Sequence, residues 1–138
     1  MNDDELRQAL TILDSYRSQL EALTRQARLL QATYEETMGA RMTLNAFEAA
    51  AEGDEILVPI GASSFVNAKV TGKRTAVVGI GNRLSVEKDI TEAAAQMDAA
   101  LSELSEALKK SSSALNEMEL AAGNLQAAIQ SEYQRRQQ

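Results

Sequence analysis

The chain has 138 residues, a net charge of −6, and neither Cys nor His, which removes disulfides, thiolate nucleophiles, the usual catalytic triads and most zinc sites. Aromatics are few and Trp is absent, a composition closer to long helices than to an enzyme core, and the acidity disfavours nucleic acid as a main partner. No apolar run approaches the ~20 residues of a membrane span. The start, Asn2, Asp3, Asp4 and Glu5, is unlike a secretion signal, so a soluble cytoplasmic chain is expected.

Residues 1-52 read as one helical arm. Leu6, Leu13, Leu20, Ala27 and Tyr34 recur every seven residues, with Ala9, Tyr16, Leu23, Leu30 and Thr37 three positions after each, the spacing of a left-handed coiled-coil seam. Asn2 with Glu5 predicts an N-terminal cap and its partner, and Gly53 a left-handed residue ending the helix. Past Tyr34 the phase is expected to slip, with Arg41 on the seam, Met38, Met42 and Phe47 beside it, and Gly39 costing about 1 kcal/mol relative to Ala. A stutter or bend is predicted there.

Residues 53-88 read as strands. Ile56 to Ile60, Phe65 to Thr71, Thr75 to Ile80 and Leu84 to Glu87 are rich in Val, Ile, Phe and Thr, and Gly-containing turns separate them. Alternation in Val66, Ala68 and Val70, and in Leu84 and Val86, gives each strand one face that wants burial. Pro59 cannot donate to a ladder, which puts the first strand at an edge or Pro59 at the strand's end. Two hairpins of this size are marginal alone and expose their edges, so pairing with other subunits into a barrel is expected. The residues assigned to that oligomerisation surface are Ile56, Leu57, Val58, Pro59, Phe65, Val66, Val70, Val77, Val78, Ile80, Leu84 and Val86.

Residues 89-138 form the second arm. From Ile90 the 4-3 rhythm continues through Ala94, Met97, Leu101, Leu104, Leu108, Ser111, Leu115, Met118, Ala122, Leu125 and Ile129, interrupted only by Ser111. Asp89 and Glu92 are placed to cap its start. A seamed helix of this length is unstable alone, so the second arm should fold back antiparallel on the first, residue numbers facing each other summing to about 138. Ala27 then faces Ser111. The fold class is α+β: a long antiparallel helical hairpin with two central β-hairpins.

The remaining motifs carry no chemistry. Gly79-Ile80-Gly81-Asn82-Arg83-Leu84 begins like a dinucleotide fingerprint but has Leu84 in place of the third glycine, and Gly72-Lys73-Arg74 lacks the flanking residues of a phosphate loop. Neither an enzyme activity nor a cofactor or metal is expected. At the free tip the apolar stripe is wider than a two-helix seam requires: Leu10 and Ile12 flank Leu6, Ala9 and Leu13, while Ala128 and Tyr133 flank Ile129. That surplus reads either as a binding surface or as the ordinary width of an amphipathic helix.

Glu55-Ile56-Leu57-Val58-Pro59-Ile60-Gly61 followed by Ser64-Phe65-Val66, then Val77-Val78-Gly79-Ile80-Gly81 and Val86-Glu87-Lys88, resembles the signature of the alpha-class prefoldin subunit of archaea. The layout of the whole chain is similar as well. Arg83 departs from the pattern, standing where the family commonly has the second Gly of a Gly-x-Gly before the last strand. The resemblance implies a hexamer of two alpha and four beta subunits, hairpins joined in a barrel, that holds unfolded proteins without nucleotide and passes them to a group II chaperonin. It implies a client surface at the arm tips, assigned to Leu6, Leu10, Leu13, Leu125, Ile129 and Tyr133. A coiled-coil spacer or tether is the alternative, needing the seam but no adhesive tip.

Overall fold

A computed structural model describes all residues, 1–138. The order is helix α1 (Asp3–Ala49), strands β1 (Glu55–Gly61), β2 (Ser64–Lys69), β3 (Thr75–Gly81) and β4 (Leu84–Asp89), then helix α2 (Ile90–Gln137). Contacts group into two compact units, one of Met1–Thr33 with Leu104–Gln138 and one of Tyr34–Glu103.

In the first unit the 4-3 rhythm becomes a seam. Leu6, Ala9, Leu13, Ala122 and Ile129 are buried together, with Tyr16, Leu20 and Leu125 packed against them. The start of α1 is a reciprocal cap: the Glu5 amide donates to Asn2 Oδ1 at 2.8 Å and the Asn2 amide to Glu5 Oε2 at 3.2 Å, which satisfies two otherwise orphaned helix donors. Arg136 bonds Asp3 at 2.7 Å and the Met1 carbonyl at 2.9 Å, so the ends of the two helices lie side by side as the antiparallel register requires. Ser111 is buried and its Oγ has no hydrogen-bond partner.

In the second unit the rhythm holds as far as Leu44 and then slips as expected, since Phe47 is half-buried against the core while Glu48, where the spacing would fall next, is exposed. α1 is helical without a break through Gly39, Arg41 is half-buried on the seam and Leu44 is buried three residues on. Arg41 is accommodated because its guanidinium bonds Asp98 of α2 at 2.8 Å and also reaches Asn45. The helix ends at Ala49, three residues earlier than the sequence suggests, because the Ala51 amide goes to the Asp54 carboxylate at 2.8 Å and Gly53 turns left-handed at φ 89°. No side-chain cap starts α2. Asp89 instead ends β4, paired with Thr75, and the Ile90 amide donates to the Arg74 carbonyl at 3.2 Å.

The four strands make two separate antiparallel hairpins. They are copies offset by twenty residues: Val58 pairs with Val66 as Val78 pairs with Val86, and the ladder slips once in each, between Pro59 and Gly61 and between Gly79 and Gly81. Both turns put three successive residues at positive φ, Gly61, Ala62 and Ser63 in one and Gly81, Asn82 and Arg83 in the other. Two left-handed residues between strands suit the right-handed twist of a hairpin. Arg83, at φ 61°, therefore keeps the geometry that a glycine would adopt more cheaply.

Candidate interaction surfaces

The residues assigned to the tip divide into two sets. Leu6, Leu13 and Ile129 are 8, 5 and 5% exposed, and Leu125 packs against them. These four hold the seam, where a and d positions face the partner helix first, so in the lone chain they present less surface than their assignment as client contacts anticipates. Leu10 and Tyr133 remain outward at 37 and 46% exposure, and Ile12, outside the assigned set, is exposed beside them at 45%. Together with Met1 at 41% exposure they supply apolar surface at the tip.

One tip residue escaped the sequence reading. The 4-3 rhythm, carried one step past Ile129, lands on Glu132, which is buried at 7% exposure. Its carboxylate accepts hydrogen bonds from Arg135 at 2.6 Å and Arg136 at 3.0 Å, the i,i+3 and i,i+4 neighbours on its own helix. Those bonds, that of Arg135 first, hold its pKa down at about 2 against the ordinary 4.5. A charged side chain on the seam is tolerated because its partners come with it.

In the second unit the hairpins differ in what covers them. Val78 is buried in a cluster with Leu44, Ile90, Ala93 and Ala94, and Ala76, Val86, Phe47 and Met97 pack around it. Val70 is buried in the connector after β2, while Ile56 is half-buried. Leu57, Val58, Pro59, Ile60, Phe65 and Val66 of the first hairpin are exposed, as are Val77, Ile80 and Leu84 of the second. Val70 and Val78 are buried and Val86 half-buried in the unit's own core, because the second hairpin folds its inner face onto the helices. An open groove of about 490 Å³ runs beside this core, lined among others by Leu44, Phe47, Val70, Val78, Ile90 and Met97. Glu87 has its pKa lowered by hydrogen bonds from Lys73 first and then Thr75, a cross-strand tie on the exposed face.

No group of three or more acidic residues converges as a metal site, and no helix is long and apolar enough to cross a membrane. The surfaces on offer are apolar patches and unpaired strand edges, which suit binding to polypeptide.

Comparison with known proteins finds matches along most of the chain. The family model described as prefoldin subunit matches residues 16–135. The prefoldin alpha subunit of Methanothrix thermoacetophila is 37% identical over 108 residues, covering 78% of this chain and 71% of that protein. That of Pyrococcus horikoshii is 34% identical over 125 residues, covering 90% and 84%. Among solved structures, a filamentous PFD from Methanocaldococcus jannaschii aligns with TM-score 0.68 at 26% identity, over 83% of this chain and 95% of that one. The prefoldin beta subunit from Thermococcus strain KS-1 shares the fold, with TM-score 0.62 at 19% identity over 93% and 91%.

Proposed function

Because this chain belongs to the prefoldin family, in its alpha class, we propose that it is a holdase subunit that works without nucleotide in the cytoplasm. In this reading two such chains join four beta-class subunits through their hairpins, capture unfolded polypeptides at the helix tips and release them to a group II chaperonin. The observation that carries the reading is the uncovered apolar surface of the first hairpin, with Leu57 at 63% and Phe65 at 57% exposure. Contiguous apolar surface on strands with free edges is a liability for a lone chain and an asset in an assembly.

Capture is assigned to Leu10, Ile12 and Tyr133, each too small a contact to hold a client alone. Several weak contacts on one assembly bind far more tightly, since every contact after the first is intramolecular. The test is aggregation of a chemically unfolded client, followed by light scattering, in the presence of the assembled complex. Leu10→Ser combined with Ile12→Ser should leave the complex assembled and lower its protection. Undiminished protection would contradict the tip assignment and favour a tethering role.

A further inference from the structure

The last turn of α1 contains no basic residue, although a helix C-terminus carries unsatisfied carbonyls and a partial negative charge that call for a cation. Arg74, in the connector between β2 and β3, supplies it from outside the helix. Its Nη1 donates to the carbonyls of Phe47 and Ala50, both at 3.1 Å, and its Nη2 to that of Glu48 at 2.7 Å. The carbonyl of the same residue accepts the amide of Ile90, the first residue of α2, at 3.2 Å. One residue thus closes the end of one helix and the start of the other. The connector is also close to the stretch that follows α1: a Cβ on Gly72 would lie 3.0 Å from the Glu52 carboxylate.

We propose that Arg74 is a positioning residue that fixes the separation of the two helix roots. A planar guanidinium can meet several carbonyls at once from a single anchored side chain, whereas a lysine ammonium is a point donor on a flexible stem. Fixed roots matter to the proposed holdase, because contacts that act together must be held at a constant spacing. The inference rests on that reading only for this consequence; the geometry stands without it.

The experiment uses the full chain assembled with a beta-class subunit, as wild type, Arg74→Ala and Arg74→Lys. The chain has no cysteine, so spin labels placed through Glu36→Cys and Glu103→Cys report the separation of the two helices about 20 Å from their roots. In Arg74→Ala the distance distribution should broaden, and hydrogen exchange at the Ala50 and Ile90 amides should accelerate about tenfold or more, because both helix ends loosen when the guanidinium's charge-assisted bonds to the α1 carbonyls are lost. Exchange in β3 and β4 and the native mass should not change. Arg74→Lys should recover part of both effects. Unchanged exchange and distance in Arg74→Ala would overturn the inference, as would equal acceleration throughout β3 and β4, which marks general loosening. Failure of the wild-type complex to protect a client would count against the holdase reading alone.

Discussion

The two hairpins share register, ladder slip and turn geometry, yet only one is packed. At equivalent positions Val78 is 5% exposed and Val58 is 38%. The second hairpin has Leu44, Ile90, Ala93 and Ala94 beneath it; the first has no such cluster. Local sequence sets how a hairpin folds, but what it is for depends on what covers it. A hairpin packed on its own helices supports the chain, and one left open is surface for another molecule.

The largest expected effect separates these roles. Val78→Asp buries an unpaired charge and should destabilise the chain by about 3 kcal/mol or more, visible as a lowered thermal midpoint by circular dichroism. Val58→Asp should leave the isolated chain's midpoint nearly unchanged and reduce assembly. Equal damage from both would erase the distinction. The tip admits the same contrast between packed and open residues: Leu13→Ala, in the seam, should cost about 2–4 kcal/mol, while Leu10→Ser should stay within about 0.5 kcal/mol, both by urea unfolding.

Smaller effects sharpen it. Ser111→Ala removes a buried hydroxyl without a partner and should stabilise by about 1 kcal/mol. Arg83→Gly relieves a left-handed arginine and should gain about 0.5–1 kcal/mol. Ser63→Gly, its counterpart in the open hairpin, should raise the global midpoint less, because that hairpin contributes less to the cooperative core. The last effect is acid sensitivity. Glu132 has its pKa depressed in the fold, so its stabilisation is fully present above about pH 4.5 and disappears as pH falls toward about 2. Acid unfolding of Glu132→Gln should be less steep across that interval, and an unchanged slope would deny the carboxylate its part.

Much of this architecture was legible in spacing. The rhythm from Leu6 to Thr37 and from Ile90 to Ile129 describes seams that exist, and Gly61, Gly81 and Asn82 mark the turns. Polar residues at seam positions were harder to read. Arg41 is held on the seam by Asp98, 57 residues away in sequence, a pairing that local pattern does not reveal, and Glu132 ended the pattern too soon, although Arg135 and Arg136 stand at the i,i+3 and i,i+4 spacings that mark a paired carboxylate. The tip was half legible: period identifies an apolar stripe but not which of its members the partner helix covers. The difference between the hairpins left no sequence signal, since alternation is similar whether the covering surface is intramolecular or not.

The central claim is that the open hairpin completes an assembly. Native mass measurement of the chain mixed with a beta-class subunit, as wild type and as Val58→Asp, tests it most directly. The account predicts a hexamer of two alpha and four beta subunits for the wild type and its loss in the variant. A monomer in the wild-type mixture, or an intact hexamer in Val58→Asp, would contradict it.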